Sequence, residues 1–86
     1  MKFEATPLEG ALRVELERIE DPRGFFARSF CTREFLDAGV DFDCVQCNVS
    51  GNRRRGTFRG MHFQIAPCAE AKVVRCTRGA AYDVIL

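Results

Sequence analysis

The segment ALRVELE at residues 11–17 alternates apolar and polar side chains. Leu12, Val14 and Leu16 fall on one face, because successive side chains of a strand point to opposite sides of a sheet. Charged residues occupy the other face. This period of two predicts a half-buried β-strand, so the fold is expected to be built on sheets.

Other segments also have the composition of strands, and they are separated by turn residues. Strands are predicted at residues 25–30, 42–49, 57–64, 72–77 and 80–86, with turns at 21–24 (DPRG), 51–52 and 66–67 and a hairpin turn at 78–79. Five or six short strands predict one all-β domain over residues 1–86, a sandwich or a barrel.

One short helix is predicted near residues 32–38. Thr32 can cap its start and Gly39 can end it. Phe35 and Leu36 are expected to form its buried side.

Charge and hydropathy exclude several classes of protein. The chain has 13 basic and 12 acidic residues, a net charge of +1, which gives no electrostatic reason to expect nucleic-acid binding. The run at residues 53–55 (RRR) is expected to be a solvated turn, with contact to a phosphate as the alternative. No apolar run reaches the ~20 residues that a membrane span needs, and residues 1–4 lack a signal-like apolar region. We therefore expect no membrane partner and residence in the cytoplasm.

The five cysteines do not form a recognisable metal or disulfide framework. Cys44 and Cys47 have CxxC spacing, but Cys68 and Cys76 are too far apart to make the second close pair of a structural zinc site. A redox CxxC normally opens a helix, whereas this one lies in a predicted strand. We expect no metal and no cofactor, and reduced cysteines packed as small core residues.

The segment RGMHFQ at residues 59–64 contains the only histidine, His62. An imidazole can accept or donate a proton near neutral pH, and Arg59 and Lys72 supply positive charge nearby in the sequence. A base with cations around it suits proton removal next to a carbonyl, because the enolate needs charge stabilisation. A packed or surface histidine is the alternative reading.

Several motifs together resemble the dTDP-4-dehydrorhamnose 3,5-epimerases, which are cupin-type jelly rolls. They are DPRGFF (21–26), QCNVS (46–50), RGMHFQ (59–64), KVVR (72–75), RG (78–79) and YDV (82–84). The resemblance covers the family's N-terminal half, so it implies a partial, truncated jelly roll. The chain also ends at Leu86 within a predicted strand, which is the pattern of a fold cut in the middle.

The resemblance also implies a reaction and the residues that perform it. A base removes the protons on C3 and C5 of a nucleotide-linked 4-keto-6-deoxyhexose, and reprotonation comes from the opposite face. His62 matches the general base, and Lys72 matches a substrate-binding lysine near the carbonyl. Arg59 matches a residue that binds the diphosphate. Arg23 matches a substrate-binding arginine that a homodimer partner contributes. Gln46 and Asn48 match residues that contact the nucleotide and sugar, and Asp83 matches a secondary position of the site.

Two departures keep other readings open. Family members often have Glu where this chain has Arg28, which bears on nucleotide specificity. The family's tyrosine acid and the acidic partner of the histidine lie in the half that is absent here. A sugar-nucleotide-binding cupin, a single epimerase, a ketoisomerase relative and a non-catalytic remnant are the alternatives. Strand alternation would also put Arg59 and His62 on opposite faces, unless Gly60 forms a bulge or twist.

Overall fold

The computed structural model describes residues 1–86. Its regular elements, in chain order, are β1 (Lys2–Ala5), β2 (Leu12–Glu15), β3 (Ile19–Asp21), β4 (Gly24–Phe26) and α1 (Thr32–Asp37). The chain divides into two compact units. The first unit is Met1–Asp43 with Val84–Leu86, and the second unit is Cys44–Asp83.

The predicted strand at residues 11–17 is present as β2, shortened at both ends. It pairs antiparallel with β1, and Phe3 lies opposite Val14 in the register. The Arg13 guanidinium donates to the Glu4 carboxylate, which makes a cross-strand ion pair. β1 was not predicted, because Phe3 is the only large apolar residue in it and its sequence therefore shows no alternation.

The predicted turn at residues 21–24 is confirmed as the loop of a second hairpin. β3 and β4 pair antiparallel, and Asp21 lies opposite Gly24 across Pro22 and Arg23. Gly24 has φ +133°, a conformation that residues with a side chain rarely adopt. Of the predicted extended segment at 25–30, only residues 25 and 26 belong to a strand.

The predicted helix is confirmed, with a different cap. Cys31 occupies the N-cap position and Thr32 is the first helical residue. The Gly39 N–H donates to the Leu36 carbonyl at 2.9 Å, and the Val40 N–H donates to the Phe35 carbonyl at 2.8 Å. These two bonds, with Gly39 at φ +83°, form a Schellman motif that satisfies the last carbonyls of the helix.

The core of the first unit is a cluster of four phenylalanines. Phe35 is 3% exposed, and its ring centroid lies 5.1 Å from that of Phe3, 4.9 Å from Phe30 and 6.1 Å from Phe42. Burial of Leu36 was predicted wrongly, since it is 50% exposed. Each helical residue turns about 100° from the one before it, so a six-residue helix that buries Phe35 rotates Leu36 away.

The second unit contains bends and turns but no helix or strand. The turn at 66–67 is confirmed, and so is the exposed turn at 53–55. The strands predicted at 42–49, 57–64, 72–77 and 80–86 are absent, and so is the hairpin at 78–79. The prediction that the cysteines pack in the core is also wrong. Only Cys31 is partly buried, and the other four are exposed.

Exposure explains why these strands do not form. Strand propensity measures how well a side chain fits a half-buried pleated surface, and it acts only when a neighbouring strand and an opposing layer are present. Val49 is 98% exposed and Tyr82 is 96% exposed, so neither has such a layer.

At the level of fold class, the regular structure consists of short strands with one helix, as predicted. No helix in the structure is long and apolar enough to cross a membrane.

Candidate active site

Arg23 lies in the two-residue loop between β3 and β4. Its backbone N–H and its Nε donate to Asp21 Oδ1 at 2.8 and 3.2 Å, and its Nη2 donates to Asp21 Oδ2 at 2.7 Å. These bonds lower the pKa of Asp21 and raise that of Arg23. Together with Gly24, Phe25 and Phe26, the pair lines an open depression of about 230 Å³. The loop therefore presents a permanently charged guanidinium beside apolar rings.

Arg28 belongs to an ion network centred on Glu34 of α1. Its Nη1 lies 3.1 Å from Glu34 Oε2, and the Met1 ammonium lies 2.9 Å from Glu34 Oε1 and 2.9 Å from Glu17. The hydrogen bonds from Met1 and then Arg28 lower the pKa of Glu34. In this structure Arg28 thus binds the helix and not another predicted site residue.

Gln46 and Asn48 lie in an exposed stretch of the second unit. The two cysteines beside them, Cys44 and Cys47, are close together, with their Sγ atoms 3.4 Å apart. The Cys44 thiol also lies 3.9 Å from the Gln46 carbonyl oxygen. The two amide side chains therefore belong to the same exposed segment as this pair of thiols.

Arg59 is held by Gly51 and Asn52, which lie just before the bend and turn at residues 53–56. Its Nε donates to Asn52 Oδ1 at 2.6 Å, and its Nη2 donates to the Gly51 carbonyl at 3.0 Å. A guanidinium has five N–H donors, and these bonds occupy two of them, so three are left for a ligand. The contacts fix the plane of the guanidinium while leaving an edge that can bind an anion.

His62 is exposed and lies close to Gly60. A Cβ placed on Gly60 would be 3.7 Å from His62 Nδ1, and Gly60 has φ +124°. The backbone therefore does not run as a flat, regular strand from Arg59 to His62. Strand alternation, which would have separated these two side chains, does not apply to this segment.

Lys72 forms an ion pair with Glu70 in the second unit. Its Nζ lies 3.0 Å from Glu70 Oε1, and both side chains are about half exposed. Exposed pairs of this kind contribute little to stability, so the ammonium can exchange Glu70 for another anion at low cost. Asp83 is exposed near the end of the same unit.

The hydrogen bonds and ion pairs of the predicted site residues connect them to residues outside the predicted set. Arg59 binds Asn52, seven residues before it, and Lys72 binds Glu70, two residues before it. Sequence reasoning missed Asn52, Glu70 and Glu34 as partners of the site cations. The available signal was an oppositely charged or amide residue two to seven positions from each cation.

Comparison with known proteins shows the family. A family model described as dTDP-4-dehydrorhamnose 3,5-epimerase matches residues 5–86, nearly the whole chain. The chain belongs to this family. The match includes every predicted site residue, from Arg23 to Asp83.

Curated relatives agree with the family model. The chain is 38% identical over 84 residues to a dTDP-4-dehydrorhamnose 3,5-epimerase from Sinorhizobium fredii, covering 98% of this chain and 43% of the relative. It is 45% identical over 85 residues to one from Pseudomonas aeruginosa, covering 98% and 46%. A dTDP-4-dehydrorhamnose 3-epimerase from Streptomyces niveus is 36% identical over 87 residues, covering 100% and 42%. This family member thus spans less than half the length of these relatives. No solved structure is significantly similar to it.

Proposed function

We propose that this chain carries part of the site of an epimerase that acts on a dTDP-linked 4-keto-6-deoxyhexose, within a partial cupin-type jelly roll spanning residues 1–86. Membership of the family supports the reaction class. The observation that carries the proposal is the segment at residues 59–64, where an anchored guanidinium and the only histidine flank a glycine with positive φ.

His62 is proposed to be the base. The C4 carbonyl acidifies the protons on C3 and C5, and a neutral imidazole can accept such a proton near neutral pH. The exposed position of His62 leaves room for a sugar ring. The glycine at position 60 presents no side chain between the imidazole and a substrate.

Lys72 is proposed to stabilise the enolate that forms when the proton leaves. Negative charge develops on the C4 oxygen, and an ammonium close to it lowers the barrier. The solvent-exposed pair with Glu70 supports this role, because an enolate oxygen can replace the carboxylate as the partner of Nζ.

Arg59 is proposed to bind the diphosphate. Its Nε and one Nη2 hydrogen bond are used to hold the guanidinium, so the remaining donors are already oriented for phosphate oxygens. Gln46 and Asn48 are proposed to contact the nucleotide and sugar, with Arg28 and Asp83 as secondary positions.

Arg23 is proposed to act across a homodimer. It is displayed on a hairpin loop beside Phe25 and Phe26, and the latter is 71% exposed. Adjacent exposed aromatic rings are typical of a contact surface. A dimer that covers these rings would carry Arg23 to the partner's site.

Reprotonation from the opposite face needs an acid. Tyr82 is the only tyrosine in the chain, and it is not assigned this role. We propose that the acid, and the carboxylate that orients His62, come from the part of the family's length that this chain does not span.

Epimerisation at a single carbon is the second candidate. The Streptomyces niveus relative, named a 3-epimerase, favours keeping it. The two reactions share the base and the enolate and differ only in which protons are removed.

Solvent exchange tests the proposal. The chain is incubated in deuterated water with the dTDP-4-keto-6-deoxyhexose, and the C3 and C5 protons are followed by NMR. Loss of both signals is expected, and loss of C3 alone would select the second candidate. If both proton signals persist while dTDP still binds, the site binds the nucleotide but does not catalyse the exchange. Persistence without binding would refute the proposal.

A further inference from the structure

The thiols of Cys44 and Cys47 are in contact in the second unit. Their Sγ atoms are 3.4 Å apart, and both residues are exposed. A disulfide needs the sulfurs at about 2.05 Å, so they would have to approach by about 1.4 Å, which small changes of side-chain torsion can supply. The pair is thus arranged for closure and accessible to an oxidant.

From this geometry we infer that Cys44 and Cys47 are a reversible disulfide site, oxidised by small-molecule disulfides such as oxidised glutathione. One cysteine thiolate attacks the reagent, forms a mixed disulfide and releases one reduced glutathione. The second cysteine then attacks the mixed disulfide at the protein sulfur and releases another. Two protein thiols become one S–S bond, and the two electrons and two protons pass to the reagent.

The second step is what the structure favours. It is intramolecular, and the attacking sulfur already lies beside its target, so it should outpace attack by a second glutathione. The segment lies outside any helix, so it lacks the helix N-terminus that activates catalytic CxxC sites. The site is therefore one of modification and not of thiol-transfer catalysis.

A metal is the less favoured occupant of the same pair. Structural zinc needs four ligands, and the structure contains no group of three or more metal-binding side chains. Two sulfurs suffice for a disulfide.

Oxidation also has a consequence that rests on the proposed function. Closing the ring at residues 44–47 constrains Gln46 and the neighbouring Asn48, the proposed nucleotide contacts. The oxidised chain should then bind dTDP more weakly than the reduced chain, and reductant should restore binding.

The sequence makes the test direct, because trypsin releases residues 34–53 as one peptide that contains Cys44 and Cys47 and no other cysteine. The folded 86-residue chain is equilibrated with mixtures of reduced and oxidised glutathione, quenched with acid and alkylated with N-ethylmaleimide. Peptide 34–53 is expected to lose both alkylation sites and two hydrogens, with full recovery after dithiothreitol.

Two variants provide controls. In Cys44→Ser, the peptide should instead carry a single glutathione adduct on Cys47, whereas Cys68→Ser should behave as the parent chain does. Glutathione adducts on Cys44 and Cys47 without the internal bond would overturn the inference, as would bridges to Cys68 or Cys76. Equal disulfide yield in the folded chain and in guanidinium chloride would also overturn it, because folding would then contribute nothing. These outcomes do not depend on whether dTDP binds.

Discussion

The aromatic cluster of the first unit allows a quantitative prediction of the free energy of unfolding. Phe35 is the only buried hydrophobic residue of the chain, at 3% exposure, and its ring contacts those of Phe3, Phe30 and Phe42. The substitution Phe35→Ala removes the ring at the centre of the cluster. Replacing a buried phenylalanine with alanine costs about 3–5 kcal/mol in well-packed cores.

The expected loss lies at the lower end of that range. Phe30 is itself 39% exposed, so its ring can move into the vacated space and reduce the cavity. A loss of about 3 kcal/mol compares with a total stability of about 2–7 kcal/mol for a unit of this size. At roughly 4 °C or more per kcal/mol, the melting temperature should fall by about 12 °C or more.

Thermal unfolding followed by far-ultraviolet circular dichroism measures this change, and hydrogen exchange localises it. The Gly39 and Val40 amides, which close the C-terminus of α1, should lose protection in Phe35→Ala. Phe58→Ala is the matched control. It removes an identical ring that is 81% exposed, so it should cost no more than about 0.5 kcal/mol. Equal melting temperatures for the two variants would refute the assignment of the core.

Three further predictions concern the charges and the backbone of the site. The Met1 ammonium and Arg28 lower the pKa of Glu34 below its ordinary 4.5, so their stabilisation of the fold is present above 4.5 and is lost as pH falls through the lowered pKa. Glu34→Gln should flatten that part of an acid unfolding curve, and an unchanged curve would contradict the ion network. Arg59→Lys should weaken dTDP binding about tenfold, or about 1.4 kcal/mol, because an ammonium lacks the planar fork that donates to Asn52 and Gly51 with some N–H groups and to a diphosphate with the others. Calorimetry with Arg54→Lys as control checks this, and equal losses would refute it. Gly60→Ala should strain the backbone by about 1–3 kcal/mol at φ +124° and shift the NMR signals of His62, and unshifted signals would contradict the contact between them.

Local chemistry made part of the fold predictable. The turn at residues 21–24 and the end of α1 at Gly39 depend on proline, aspartate and glycine acting within a few residues, and both formed as expected. β1 was missed because Phe3 is its only large apolar residue, so the segment has no period to detect.

The strands predicted in the second unit failed for a different reason. Apolar and β-branched residues at 42–49 and 72–77 describe segments that fit a sheet, but a strand forms only where neighbouring strands are present. Val49 is 98% exposed and Val74 is 71% exposed, so no second layer covers these side chains. The sequence pattern alone does not show whether a second layer covers a predicted strand.

The site residues were identified from the resemblance to a family and not from periodicity. A resemblance of this kind does not show which side chains will bind them. Sequence indicated Arg59, His62 and Lys72, but not that Asn52 would hold Arg59 or that Glu70 would pair with Lys72. Several charged or amide residues lie within seven positions of each cation, and the backbone torsions that select one of them are not evident from the sequence. Gly60 is the exception, because a glycine between two predicted site residues already suggested a break in the strand.

The most direct test of the proposed chemistry is solvent exchange with His62 replaced. The parent chain and His62→Ala are compared in deuterated water with the dTDP-linked 4-keto-6-deoxyhexose. Lys72→Met is tested in the same way, and its control is Lys2→Met, because Lys2 is the only other lysine. If His62 is the base, exchange at C3 and C5 should disappear in His62→Ala while dTDP binding is kept, and Lys72→Met should slow exchange where Lys2→Met does not. Exchange at an undiminished rate in His62→Ala would contradict the assignment of the base.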